Sequence, residues 1–141
     1  MPGWRQSALV LLAVFAALAA TAWLRPLMLP DEGRYVGVAW EMLRSGDWLV
    51  PRLNGLPFFH KPPLFYWITA ASMSVFGLHE GVARAASLLG ATLAAMAMFL
   101  FVHRWGGAQR ARLTLVALLA QPLFFLGAQF ANLDMLVAGC I

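Results

Sequence analysis

Three carboxylates stand where apolar stretches of the sequence begin or end. Asp31 and Glu32 follow the first apolar stretch, and Asp134 lies between two later ones. Carboxylates near membrane depth are costly and usually have a task or a partner. Two of them on one face could act as a general base and a metal ligand, or as a base and an orienting group. The simpler alternative is that these acids cap helices and lie in water, which spacing alone leaves open.

A second group of candidates centres on the loop segment His60-Lys61-Pro62-Pro63. Lys61 supplies a point charge suited to phosphate, and the two prolines stiffen the turn that follows it. Arg34 lies three residues after Asp31 and could pair with it or face an anionic donor. His60 could be a metal ligand. The alternatives are a lysine that extends to lipid head groups and a solvated histidine.

Two other residues have simpler interpretations. Arg84 lies four residues after Glu80 and is expected to pair with it. Cys140 is the only cysteine, which excludes an intrachain disulfide and a zinc cluster of thiolates. Because Cys140 lies in an apolar run, it is expected to be a small buried hydrophobe.

The composition places these residues in a membrane protein. Apolar residues make up 62% of the 141 residues and charged residues only 11%, and the mean hydropathy is +0.74. A soluble domain has roughly 25% charged residues, so too few remain here to solvate a globular surface. The net charge of +4 fits basic cytoplasmic loops rather than nucleic-acid binding, since no basic patch with interleaved aromatic residues is present.

The apolar stretches predict an all-α, polytopic transmembrane fold. Spans are expected at about residues 6–28, 82–103 and 110–131, and a fourth begins at 134–141. The first stretch could instead be a signal peptide, although no clear cleavage site follows it. The sequence stops inside an apolar run, so 1–141 is expected to be the N-terminal part of a larger membrane domain.

The outer loop, residues 30–80, is expected to hold two interfacial helices. The first begins at Asp31, which could cap it; Tyr35, Ala39, Met42 and Leu43 share one face, and Ser45-Gly46-Asp47 ends it. The second lies within residues 62–78, which could alternatively be a further span.

Charge distribution favours the arrangement in which residues 62–78 do not cross. The basic residues Arg104, Arg110 and Arg112 then lie on the same side as Arg5, as the excess of cations in cytoplasmic loops requires. This arrangement predicts a cytoplasmic N-terminus. It also places Asp31 and Asp134 together on the opposite face.

Several consecutive motifs resemble the start of the GT-C glycosyltransferases. They are Pro30-Asp31-Glu32-Gly33-Arg34-Tyr35, Gly46-Asp47-Trp48-Leu49-Val50-Pro51-Arg52-Leu53-Asn54-Gly55, Lys61-Pro62-Pro63-Leu64-Phe65-Tyr66-Trp67, Phe76-Gly77 with Glu80 and Arg84, and Leu133-Asp134-Met135. Their order and spacing are similar to the bacterial branch that contains aminoarabinose transferases and protein O-mannosyltransferase-like enzymes. The resemblance covers nearly the whole chain from Pro30 onward.

The resemblance implies an inverting hexosyl or pentosyl transferase at the outer face of the bacterial inner membrane. The donor would be a polyprenyl-phosphate-linked sugar and the acceptor a lipid such as lipid A, a glycan or a protein. By position, Asp31 matches the principal catalytic acid, Asp134 the second, Lys61 a donor-phosphate residue and Arg34, more weakly, another.

One departure from the family pattern concerns a metal. Aminoarabinose transferases have an acid where this chain has His60, so the resemblance leaves open a divalent metal ion held by His60. As an isolated piece the chain is expected to be inactive. The rival interpretations are a transporter piece, which would carry its acids deep within spans, and a small non-enzymatic membrane protein.

Overall fold

The computed structural model describes residues 3–141, which form seven helices and one short hairpin. The elements are α1 Trp4–Ala19, α2 Asp31–Ser45, β1 Arg52–Leu53, β2 Leu56–Pro57, α3 Leu64–Phe76, α4 Glu80–Ala83, α5 Ala85–Ala120, α6 Pro122–Ala128 and α7 Leu133–Cys140. The predicted helical fold class is confirmed. The hairpin pairs Leu53 with Leu56 in antiparallel register.

The first helix is shorter than the span expected at residues 6–28. Helix α1 ends at Ala19, and tight turns follow it. The carbonyls of Ala22 and Arg25 accept hydrogen bonds from the guanidinium of Arg84. Since a side chain satisfies these carbonyls, the backbone does not need to continue as a helix to satisfy them.

Helix α5 bends sharply at Gly107. This glycine has φ 82° and ψ 172°, a left-handed conformation that L side chains rarely adopt. Phe99 and Ala111, on opposite sides of the bend, belong to one hydrophobic cluster, and Ala91 and Leu119 belong to another. A straight helix would separate Ala91 from Leu119 by about 42 Å, so the two arms fold back on each other.

Within the described residues, α5 is the one helix that is both long enough and apolar enough to cross a membrane. Helices α6 and α7 are long and apolar enough to do so only when taken together, and they are bent by 109° relative to each other. Helices α1 and α3 are apolar but shorter. The bend in α5 falls between the spans expected at 82–103 and 110–131.

The expected third span is broken near its middle. Helix α5 ends at Ala120, Gln121 is extended, and Pro122 opens α6. A residue before proline is pushed out of the helical region, and proline itself suits a first helical turn. The chain then turns into α7, which begins at Leu133.

The expected amphipathic helix is present as α2, and it packs on α3. The buried cluster at this contact comprises Val38, Ala39, Met42, Phe65, Tyr66, Ala70, Ala86, Ala131 and Leu136. Tyr35 and Leu43 pack against it as partly buried residues. Gly46, with φ 73°, ends the helix where the Ser-Gly-Asp sequence predicts. Helices α2, α3 and α7 therefore share one core.

Candidate functional site

Asp31 and Arg34 form an exposed ion pair on the first turn of α2. The side chains are 53% and 43% exposed, respectively. The helix has no side-chain cap, because Pro30 occupies the capping position and Asp31 is the first helical residue. Asp31 does not cap the helix, which the sequence had left possible, whereas pairing with Arg34 is one of the two alternatives that the sequence left open. A carboxylate in the first turn is still favoured by the helix dipole.

Glu32, next to Asp31, is fully buried and accepts five hydrogen bonds. One carboxylate oxygen, Oε1, accepts from Arg84 Nε at 2.9 Å and from the Ala131 N–H at 2.8 Å. The other, Oε2, accepts from Arg25 Nη1 at 2.8 Å, from the Met28 N–H at 2.7 Å and from Arg84 Nη2 at 3.2 Å. This single carboxylate therefore joins the segment after α1, the start of α2, the start of α5 and the α6–α7 turn.

Arg84 is only 1% exposed, and its partner is Glu32 rather than Glu80. Nη1 also donates to the carbonyls of Ala22, at 2.6 Å, and Arg25, at 2.9 Å. Nη2 donates to the carbonyl of Pro26 at 3.1 Å. The expected pair with Glu80 is wrong, because Arg84 lies in the junction between α4 and α5 and turns inward, while Glu80 is exposed.

The surroundings of Glu32 determine its charge. Burial raises the pKa of this carboxyl, but hydrogen bonds from Arg84, the Ala131 and Met28 amides and Arg25 outweigh burial and lower the pKa from 4.5 to about 2. Glu32 is therefore ionised at neutral pH. A buried charge is tolerated only when it is paired and hydrogen-bonded in this way.

Asp134 lies in the first turn of α7 and is exposed. The side-chain amide of Asn132 donates a hydrogen bond of 3.3 Å to it. Helix α7 packs directly on α5, and Gly139 and Gly90 meet at that crossing. Glycines at a crossing let two helix backbones approach closely. Asp134 is thereby attached to a fixed helix, three residues after the amide of Ala131 that binds Glu32.

Lys61 lies in the connection between α2 and α3, residues 46–63, and hydrogen bonds from both helices hold this connection. The Glu41 carboxylate on α2 accepts hydrogen bonds from the N–H groups of Asn54 and Gly55 at the tip of the hairpin. Trp67 Nε1 on α3 donates to the carbonyl of Trp48 at 2.7 Å. Lys61 itself is exposed. Among the ion pairs of residues 3–141, Lys61 takes part in none.

The described residues do not assemble a metal site. His60 is exposed and stacks on Phe58 with 4.9 Å between ring centroids. No group of three histidine, cysteine or acidic side chains in the described part of the chain could hold a metal ion. His60 therefore belongs to no such group of three within residues 3–141. Cys140, expected to be buried, is exposed.

Sequence reasoning missed the cluster around Glu32. Glu32 and Arg84 are separated by 52 residues, so no helical spacing relates them. Gln129 was missed for the same reason: its Nε2 donates to the carbonyl of Leu18 at 2.7 Å and to Thr21 Oγ1 at 2.9 Å. The one available signal was that acids next to apolar stretches need partners.

These features define a helical membrane-protein domain that presents acidic and basic side chains at helix N-termini and in the connecting loop. Two solved structures share this fold. The crystal structure of ArnT from Cupriavidus metallidurans in the apo state is 39% identical, with a TM-score of 0.84, over 94% of this chain and 25% of that one. The crystal structure of the same protein bound to undecaprenyl phosphate is 38% identical, with a TM-score of 0.84, over 97% of this chain and 26% of that one.

Residues 60–141 match the family described as dolichyl-phosphate-mannose-protein mannosyltransferase, and the chain belongs to that family. A similar curated relative is the undecaprenyl phosphate-alpha-4-amino-4-deoxy-L-arabinose arabinosyl transferase of Serratia proteamaculans, 36% identical over 92% of this chain and 24% of the relative. The transferase of the same name from Shewanella sediminis is 39% identical over 69% of this chain and 18% of the relative. The chain thus spans about a quarter of the length of such relatives, and the resemblance seen in the sequence motifs is confirmed.

Proposed function

We propose that the full-length protein is a glycosyltransferase that uses an undecaprenyl-phosphate-linked sugar, with 4-amino-4-deoxy-arabinose as the first candidate sugar. The observation that carries this proposal is the structural likeness, over 97% of this chain, to a protein solved with undecaprenyl phosphate bound. The names of the similar transferases support the choice of sugar. The acceptor is a lipid, with a glycan or a protein as alternatives.

The reaction assigns a separate task to each exposed charge. Asp31 acts as the general base and takes the proton of the acceptor hydroxyl. The acceptor oxygen forms a bond to the anomeric carbon on the face opposite the phosphate, and the carbon–oxygen bond to the phosphate breaks. Undecaprenyl phosphate leaves with the electron pair of that bond, and the configuration at the anomeric carbon is inverted.

The cations serve the leaving group. Lys61 lies on a loop held by Glu41 and Trp67, so its ammonium is available to stabilise the charge that develops on the phosphate. Arg34 pairs with Asp31 in this structure and would turn towards the phosphate when the donor arrives. Asp134 orients the acceptor or the base from α7.

The reaction would take place at the outer face of the inner membrane, with the N-terminus in the cytoplasm. Arg5 and the basic residues around the bend at Gly107, Arg104, Arg110 and Arg112, would face the cytoplasm. Helices α2 and α3 would then lie along the opposite membrane surface, where a lipid-linked donor is accessible. The exposed positions of Asp31 and Asp134 at helix starts favour this arrangement over a transporter with buried acids.

The experiment uses the purified full-length protein, because this chain spans about a quarter of similar transferases. The protein is incubated with undecaprenyl-phosphate-linked aminoarabinose labelled in the sugar and with a lipid acceptor. The expected result is labelled acceptor, an equal amount of released undecaprenyl phosphate and an inverted anomeric configuration by NMR. A donor carrying mannose tests the choice of sugar. No transfer from either donor would refute the proposed function.

A further inference from the structure

The buried carboxylate of Glu32 connects the two helices that carry the candidate acids. On one side, Glu32 is the residue after Asp31 and belongs to the same first turn of α2. On the other side, its Oε1 accepts the N–H of Ala131, three residues before Asp134. No other ion pair of residues 3–141 involves a side chain that bridges these two helix starts.

The bridge is held by several hydrogen bonds, and Arg84 uses all of its donors. Arg84 makes five hydrogen bonds with its five N–H donors. Arg25 donates to Glu32 through Nη1 and to the carbonyl of Gln129 through Nη2, both at 2.8 Å. Gln129 in turn binds the carbonyl of Leu18. The α6–α7 turn is thus attached to both α1 and Glu32.

Stability alone does not require this arrangement. Replacing a buried ion pair by apolar residues of similar volume is often neutral or stabilising, whereas geometry that depends on the pair is lost. The pair contacts both acid-bearing segments, through Glu32 in the first turn of α2 and through the Ala131 amide just before α7. It therefore fixes their relative placement, which a reaction that joins two substrates depends on.

We propose that Glu32, held by Arg84 and Arg25, is a positioning residue that sets the placement of Asp31 relative to Asp134. This inference rests on the proposed glycosyl transfer at the same site. Glu32 does not touch either substrate. It acts by keeping the acid-bearing turns of α2 and α7 in one fixed arrangement while donor and acceptor bind.

The test compares three variants of the full-length protein. Glu32→Gln removes the charge and leaves the side-chain size nearly unchanged. Arg25→Gln removes one of the five hydrogen bonds to Glu32 and the bond to the Gln129 carbonyl, at the partly exposed edge of the cluster; it is the milder variant should Glu32→Gln fail to fold. Glu80→Gln is the matched control, since Glu80 is an exposed acid that makes no ion pair within residues 3–141. Each variant is measured for kcat per folded molecule, KM for the donor and thermal midpoint.

A positioning role predicts a loss of kcat that exceeds any change in donor KM. Misplacement of reacting groups by 1 Å can cost about 100-fold, so Glu32→Gln is expected to lose about 100-fold in kcat and Arg25→Gln about tenfold. Glu80→Gln is expected to keep the wild-type kcat. A purely structural role would lower the midpoint and leave kcat per folded molecule unchanged. That result, in Glu32→Gln or in Arg25→Gln, would overturn the inference.

A second readout does not depend on transfer. Spin labels are attached at Arg44 on α2 and Val137 on α7, both exposed in this chain, in a background in which every native cysteine of the full-length protein, Cys140 included, is replaced by serine. The distance distribution is expected to broaden in Glu32→Gln and Arg25→Gln but not in Glu80→Gln. If the wild-type protein is active and the distance distributions of Glu32→Gln and Arg25→Gln are unchanged from wild type, the positioning role alone is overturned. An inactive wild-type protein with distributions that broaden as expected would refute the proposed function and leave the bridge intact.

Discussion

A single methyl group added at Gly90 is expected to displace the helix that carries Asp134. A Cβ at Gly90 would overlap backbone atoms of Met135 and Leu136, and a Cβ at Gly139 would lie 2.8 Å from the Cα of Gly90. Backbone cannot rotate away as a side chain can. Helix α7 must therefore move from α5 by roughly 1 Å in Gly90→Ala to restore ordinary van der Waals contact.

The magnitude follows from two opposing terms. Overpacking of this kind typically costs about 1–3 kcal/mol, and replacing glycine by alanine inside a helix returns roughly 1 kcal/mol. We expect a net loss of stability of up to about 2 kcal/mol. The effect on catalysis is larger, since a shift of about 1 Å at Asp134 is expected to lower kcat by roughly 100-fold.

The assay measures the thermal midpoint and the transfer rate of the full-length protein with Gly90→Ala. The matched control is Gly37→Ala, the same substitution inside α2, where the added Cβ would meet Leu53 Cδ1 at an ordinary 3.5 Å. The control is expected to keep or raise the midpoint. A Gly90→Ala protein with wild-type midpoint and kcat would refute the reasoning that the α5–α7 crossing fixes Asp134.

Three further predictions concern charged side chains. The folded-state pKa of Glu32 is about 2, whereas its ordinary value is 4.5. Ionised Glu32 therefore stabilises the fold above pH 4.5, and on the order of 3 kcal/mol of folding stability is lost as the pH falls from 4.5 to 2. The thermal midpoint of Glu32→Gln should lack this fall between pH 4.5 and 2. Lys61→Gln should raise the KM for the donor at least about tenfold, since a charge-assisted phosphate contact is worth about 1.5–3 kcal/mol, and titration with undecaprenyl phosphate should show the same loss; an unchanged Kd would contradict the assignment. Glu41→Ala should weaken donor binding severalfold, because it releases two N–H groups of the hairpin that leads to Lys61. Unchanged binding would show that the hairpin does not affect the donor site.

Local signals were enough to predict the elements that carry the exposed candidates. Helix α2 could be predicted because its proline start, its apolar face and its Ser-Gly-Asp end all lie within one short segment. The bend of α5 falls among the basic residues that indicated a loop there. Asp31, Asp134, Lys61 and Arg34 came from motif positions, and their assigned roles remain predictions.

The features that could not be predicted depend on contacts between distant segments. Helix α1 ends early, and carbonyls in the turns that follow it bind Arg84, which lies about 60 residues later. The 109° bend between α6 and α7 places Ala131 against Glu32, which no local spacing encodes. The same applies to Arg84, whose nearest acid along a helix, Glu80, is the wrong partner.

In the proposed reaction, Asp31 removes the proton of the acceptor as the sugar is transferred from undecaprenyl phosphate. The most direct measurement is the single-turnover rate of the full-length protein with Asp31→Asn, with donor binding and membrane insertion measured on the same preparation. If Asp31 is the general base, transfer should fall by at least about 100-fold while insertion and donor binding persist. Transfer at the wild-type rate in a correctly inserted Asp31→Asn protein would contradict it.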